Sequence, residues 1–395
     1  MIEKLTEIIK EEKSLIQNSF FVFFGTAAGG FIGMITAIAL SRILGPHDFG
    51  VFKTLTAFFG FFIYLFDFGF QNTLMKYISR YTSAGRKNKI RELIQSLFFF
   101  RLIVLVPIVI FSLISKDDIA RILLKNQEFS YLIYPAAVYL IISFSDLTRP
   151  ILIGLQNFRL FSAVNIIVPF ASLLILIPSA LYLGLPTVII GFGIAHFIGS
   201  LISFGYLINK NYIIKPGKKV FRLPKLIFSY GLPSYFSSIP SYLFFAIIPL
   251  LSLFFKQTEI GYYSFALSFY SVAMIVPIGM SQILFPKISS YSENDNRKAV
   301  ITLKKTLLIY GLVSISEIIG VLLFAKKIIS VISPLFLPAV PLVIILILSA
   351  SILGIGSLYI AYYTARKKLR ISLLLNIIVS TTFAIISFYA LKFTI

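Results

Sequence analysis

Seven ionisable side chains stand within or beside apolar runs long enough to cross a bilayer: Arg42, Lys53, Asp67, Arg101, Arg149, His196 and Glu317. A charge in lipid is costly unless it is paired or wetted, so each is a candidate for chemistry. Counted at about 1.5 Å per helical residue, Asp67 and Arg101 fall at similar depth and can face each other. They then form either an ion pair fixing two helices together or an anion-binding arginine oriented by a carboxylate, and Arg101 can also extend its stem to the interface. Glu317 is the acid nearest mid-membrane, and His196 is similarly deep. A lone carboxylate there suits a proton or sodium site whose occupancy is coupled to shape, and equally a protonated group hydrogen-bonded between helices. His196 fits packing as well as it fits gating. Asp146 and Arg149, three apart on one helical face, can satisfy one another. Arg42 and Lys53 flank a polar turn, where they can draw an anionic headgroup or rest among lipid phosphates.

Other chemistries find little support. There is no cysteine, which removes disulfides and thiolate catalysis, and two histidines do not make a metal cluster. "DFG" occurs at Asp48–Gly50 and Asp67–Gly69 without the loops and strand lysine that give it meaning in kinases. No phosphate-binding loop for a nucleotide is present. The expectation is a non-enzyme with no catalytic residue, metal or cofactor.

The elements that must position these groups are membrane helices. Of 395 residues, 58% are hydrophobic and 13% charged, and the mean hydropathy is +0.93, outside the range of ordinary soluble domains. The apolar runs predict eleven spans: 18–40, 50–74, 96–115, 131–153, 163–183, 185–208, 230–255, 262–285, 306–325, 337–363 and 371–391. Residues 1–19 predict a mixed-charge amphipathic helix at the membrane surface and not a cleaved signal. The formal charge of +21 gathers in alternate links, for example Lys76, Arg80, Arg86 and Lys87 after span two and Arg366, Lys367, Lys368 and Arg370 after span ten. By the positive-inside rule those links and the N-terminus face the cytoplasm, so the charge reads as topology and not as a nucleic-acid footprint.

"SRILGPHDFGVF", Ser41 to Phe52, returns in changed letters as "SLFFKQTEIGYY", Ser252 to Tyr263, and the same offset of 211 takes Gly50 to Gly261, Arg159 to Arg370 and "NIIV" at Asn165 to "NIIV" at Asn376. Two parallel repeats follow, each starting inside the cell, with a path between them. Each polar knot is the outer turn between the first two helices of a repeat. Asp48 is expected to cap the helix after the first knot, and Glu259 to do so less well after the second. Gly25, Gly29 and Gly33 predict a close helix contact. Tyr262 and Tyr263 predict an interfacial aromatic belt in a chain without tryptophan.

"SRILGPHDFGVF", "FDFGFQNTLMKYISRY", "RPILIGLQNFR" and "NIIVPF" together resemble successive signatures of the polysaccharide and oligosaccharide flippases in the multidrug/oligosaccharidyl-lipid/polysaccharide exporter superfamily. The resemblance covers essentially the whole chain and implies an all-α polytopic membrane protein of two pseudo-symmetric lobes, six plus five spans, with the family's twelfth helix missing. The lobes are expected at residues 1–209 and 210–395. The implied function is alternating-access export of a polyprenyl-pyrophosphate-linked sugar repeat unit across the cytoplasmic membrane. Arg42, Lys53, Arg101 and Arg149 would then meet the anionic substrate, while Asp67, Glu317 and His196 would couple an ion or gate the path. The expected partners are that lipid, membrane lipids and H+ or Na+, for a monomer working near glycosyltransferases of its pathway. Rival readings are a cation-coupled drug exporter with an acidic cavity, a membrane sugar polymerase or ligase, and an inactive truncated paralogue.

Overall fold

In lipid a backbone amide has no water to bond, so a long apolar chain without an alternating pattern closes its hydrogen bonds inside helices. The computed structural model describes residues 2–143, 148–213, 230–289, 291 and 296–394, and among them fourteen α-helices and no strand. They are α1 Ile2–Leu65, α2 Phe70–Ser83, α3 Lys87–Ile114, α4 Lys116–Ile119, α5 Ile133–Ser143, α6 Thr148–Gly154, α7 Phe158–Tyr182, α8 Leu185–Asn209, α9 Leu232–Ser252, α10 Gln257–Ala273, α11 Ile275–Ser289, α12 Asn296–Ile332, α13 Val340–Ala365 and α14 Leu369–Thr394. Serine and threonine within the spans mostly return their hydroxyls to the carbonyl one turn back, as Thr36 does to Ile32 and Ser203 to Gly199. Their polarity is thereby satisfied without a partner helix.

Eight stretches among the described residues are long and apolar enough to cross a membrane. The difference from eleven has local causes. Spans one and two are the two arms of α1, continuous apart from Gly45, whose φ of 73° lies in the left-handed region. A straight helix from Phe20 to Leu65 would run about 69 Å, more than twice the ~30 Å hydrocarbon core, so this glycine has to divide two crossings. Span four is α5 and α6, with residues 144–147 outside the described set. Span seven is α9, apolar over the shorter stretch Tyr242–Ser252. Side chains of residues 2–19 and the pairing expected of Asp146 also lie outside the described residues.

The first arm of α1 packs on α7, where a Cβ on Gly25 would lie 2.7 Å from Ser162 and one on Gly29 2.2 Å from the Asn165 carbonyl oxygen. The Ser162 hydroxyl closes this contact by donating to the Phe21 carbonyl at 2.6 Å. Gly33 meets no neighbour within 4 Å and takes no part.

The second arm of α1 packs on α10 through the two polar knots themselves. A Cβ on Gly50 would stand 1.8 Å from the Gln257 carbonyl oxygen, and one on Gly261 would stand 1.9 Å from that of Pro46. Adding 211 to Gly50 and Pro46 gives Gly261 and Gln257, so these two contacts are one contact made reciprocally. The knots also share an internal bond: Ser41 donates to the Ile38 carbonyl and Ser252 to the Pro249 carbonyl, each at 2.7 Å. Both pairs obey the same offset.

Candidate functional site

The knot contact closes one end of a cavity. Gln257, 2% exposed, accepts from Thr54 Oγ1 at 2.8 Å and donates through Nε2 to the Leu123 carbonyl at 2.5 Å. Beside it the Lys125 ammonium donates to the Leu253 carbonyl at 2.6 Å. Glu259 accepts from the Lys256 backbone N–H at 2.7 Å, whereas Asp48 pairs with the His47 ring at 2.9 Å. The capping carboxylate is therefore the second knot's and not the first's, because Asp48 lies within the continuous run of α1 whereas Glu259 stands in the first turn of α10.

At the opposite end α1 stops short of the expected 74. Phe68 and Gly69 take φ of 48° and 75°, which ends the helix at Leu65 and leaves Asp67 in the break before α2. Glycine is required there twice over: a Cβ on Gly69 would also fall 2.0 Å from the Gly231 carbonyl oxygen. Around this approach Asn72 donates to Ser234 at 2.7 Å, Tyr235 donates to the Leu65 carbonyl at 2.6 Å, and the Lys76 ammonium lies 3.4 Å from the Tyr230 ring centre. The first and second halves of the chain thus touch both at the knots and at the Gly69–Gly231 approach.

Between these contacts lies a cavity of about 470 Å³. Lys53 lines it from the residue just past the knot, Gln71 from just past the break, Arg101 from the middle of α3, Arg149 from α6 and His196 from α8. Tyr270 and Phe383 come from the other half. Four of the seven sequence-selected residues are thereby brought to one space, and no aspartate or glutamate lines it among the described residues. The Lys53 ammonium sits 5.3 Å and 5.7 Å from the ring centres of Phe49 and Phe52, a cation–π setting that holds a charge away from water. His196 stands edge-on to Phe192 at 4.8 Å between centroids.

The other three lie elsewhere. Asp67 is buried at 3% exposure next to the cavity, near enough for Arg101's charge to act on it; its Oδ2 accepts a long 3.4 Å bond from the Gln71 N–H, and its Oδ1 has no hydrogen-bond partner. Arg42 is exposed at the first knot. Glu317 is half-buried on α12, on the side of Tyr310 and not among the cavity's lining residues. The aromatic belt is corrected as well. Tyr263 is fully buried with its hydroxyl donating to Ser387 at 2.8 Å, and Tyr262 packs edge-on to Phe336 at 5.7 Å, because the second knot turns both toward the core.

Sequence reasoning passed over Gln257, Gln71, Tyr64 and Phe245. Gln257 had a legible signal, a polar amide at the repeat position of a proline. The two aromatic residues had none, since nothing but the place where helices meet singles them out among 62 phenylalanines and tyrosines.

Residues 15–292, well over half of the chain, match a family described as polysaccharide biosynthesis protein. The fold superposes with TM-score 0.68 on a lipid II flippase MurJ in an inward closed conformation, at 16% identity over 96% of this chain and 87% of that one. An inward-facing multidrug resistance MATE family transporter of the MOP superfamily gives 0.59 at 17% identity over 94% of each chain. A Vibrio cholerae MATE transporter, VcmN, gives 0.59 at 14% identity over 96% of each. At such identities the likeness is one of fold. No curated protein sequence matches the chain.

Proposed function

Because the chain belongs to the polysaccharide biosynthesis protein family, we propose that it is a flippase carrying a polyprenyl-pyrophosphate-linked oligosaccharide across the cytoplasmic membrane. The observation that carries this reading is the cavity of about 470 Å³ with Lys53, Arg101 and Arg149 on its wall and no lining carboxylate among the described residues. That volume is within the roughly 300–1,000 Å³ of ordinary ligand sites. Arginine presents a planar fork of donors that matches phosphate oxygens, so Arg101 and Arg149 receive the pyrophosphate, and Lys53 meets it on the way to the knots.

The lobes are residues 1–209 and 210–395, and they rock about the two contacts that close the path, the knots at the outer face and the Gly69–Gly231 approach at the inner face. The basic links support this orientation and a cytoplasmic N-terminus. Asp67 orients Arg101 or binds the coupling H+ or Na+, with His196 as a second candidate. A drug exporter of the same fold that takes organic cations would favour an acidic cavity, which the lining does not offer.

The deciding experiment is transport of a fluorescent lipid-linked oligosaccharide in proteoliposomes, set beside uptake of an organic cation under a proton or sodium gradient. Movement of the lipid-linked sugar alone supports the flippase. Uptake of the cation alone would replace it with an exporter.

A further inference from the structure

A second and larger space, about 650 Å³, lies on the other side of the same helix pair that walls the basic cavity. The second arm of α1 gives Gly60, Ile63 and Tyr64 to the cavity but Phe58, Phe61 and Leu65 to this groove. Likewise α9 gives Phe244, Phe245 and Ile248 to the cavity and Ile239, Leu243, Ala246 and Leu250 to the groove. The groove is apolar almost throughout. Its one carboxylate among the described residues, Asp118, sits at the end near the knots and is paired with Arg121 at 2.5 Å.

Along α9 and the residue that caps it the groove runs from Tyr235 to Leu253. Those 18 steps span about 27 Å, close to the ~30 Å depth of the hydrocarbon core. What separates it from the cavity is a seam of side chains. Tyr64 stacks on Phe245 with centroids 3.8 Å apart and planes 19° from parallel, and Tyr242 lies against Tyr64 at 5.8 Å. The α9 side of the seam is flanked by Pro240 and Pro249, which remove ladder hydrogen bonds and let a helix bend between fixed ends.

We infer that the groove seats the isoprenoid tail of the substrate and that the Tyr64–Phe245 seam is the gate through which the stem joining tail to pyrophosphate enters. This rests on the flippase reading and adds the lipid's route. A cationic space and an apolar trough on opposite faces of one seam complement an amphiphile with an anionic head and a long apolar chain. The trough's depth lets the tail stay seated while the headgroup moves from one face to the other.

The test begins with a polyprenyl diphosphate carrying a diazirine in its isoprenoid chain, photolysed with the full-length protein in vesicles. Labelling is expected in α9 and the second arm of α1, and excess unlabelled polyprenyl diphosphate is expected to remove it. Equal labelling by a diazirine phosphatidylglycerol, or labelling that polyprenyl diphosphate does not displace, means ordinary annular lipid and overturns the seat. The gate is tested in the same cysteine-free chain with Tyr64→Cys and Phe245→Cys bridged by a short, reducible thiol cross-linker. Loss of lipid-linked sugar transport on bridging and its return on reduction support the gate; transport that survives bridging overturns it while leaving the flippase intact. If the unmodified protein moves no lipid-linked sugar, the flippase reading fails, and displaceable tail labelling still decides the groove as a binding site.

Discussion

Truncating Arg101 removes a fork of donors from the wall of the cavity and leaves its volume larger. A hydrogen bond to a charged group contributes about 1.5–3 kcal/mol, and each 1.4 kcal/mol is tenfold. Arg101→Ala is therefore expected to raise the half-saturating concentration of the lipid-linked oligosaccharide roughly 10- to 100-fold, with Arg101→Lys falling between because it keeps the charge and loses the fork. Arg42→Ala, at an exposed position outside the cavity, serves as the control; equal losses from both substitutions would remove Arg101 from the site. Gln257 gives a stability prediction. Gln257→Ala strands the Thr54 hydroxyl and the Leu123 carbonyl, and a buried polar group without a partner costs about 1–3 kcal/mol. Gln257→Glu keeps an acceptor for Thr54 but loses the donor to Leu123. Both variants are expected to unfold at lower temperature in detergent than the unsubstituted protein. The cavity cations were legible in the sequence because lipid makes an intramembrane charge conspicuous. The signal at Gln257, an amide at the repeat position of a proline, is weaker, because an amide in a polar turn is ordinary until the turn is seen to be buried.

At the level of helices, the two knot glycines make a paired prediction. Gly50→Ala and Gly261→Ala each place a methyl within 2 Å of a facing carbonyl oxygen, so α1 and α10 must part. Each is expected to destabilise the knot-closed arrangement by a similar amount, since the contacts are equivalent under the 211 offset. Spin labels at Arg42 and at its repeat partner Leu253 would report a longer distance in both variants. A change in only one of them would deny the equivalence. Most elements were readable from apolar runs, yet the end of span two was set nine residues too late, at Leu74 and not Leu65. Hydropathy continues smoothly through "LFDFGF", and only backbone conformation at Phe68 and Gly69 breaks the helix. Tyr262 and Tyr263 misled for a related reason: aromatic content marks an interface only when the turn beside it faces lipid, and this one faces its counterpart.

For the molecule as a whole, contact at both ends of the cavity means that passage to either face requires one contact to open. Thr54→Cys with Gln257→Cys, joined by a short reducible cross-linker, is expected to hold the knots together, stop transport and release it on reduction. Transport through a bridged knot would show that the exit lies elsewhere. The repeated knot, whose two copies meet in the reciprocal Gly50 and Gly261 contacts, was visible in the sequence because turns tolerate few residue types. The groove and the seam were not, since they arise where the halves meet and no single segment encodes the meeting. The knot contact carries one more consequence. Gly50 on Gln257 and Gly261 on Pro46 make an isologous surface, the kind by which two identical chains form a closed dimer. A half-length ancestor carrying one knot would have owned a complete interface with itself, and fusion of two copies would then free each side to change alone. The present chain records that freedom: Thr54 binds the Gln257 amide, while the positions that answer to them, Phe265 and Pro46, have only shape to offer.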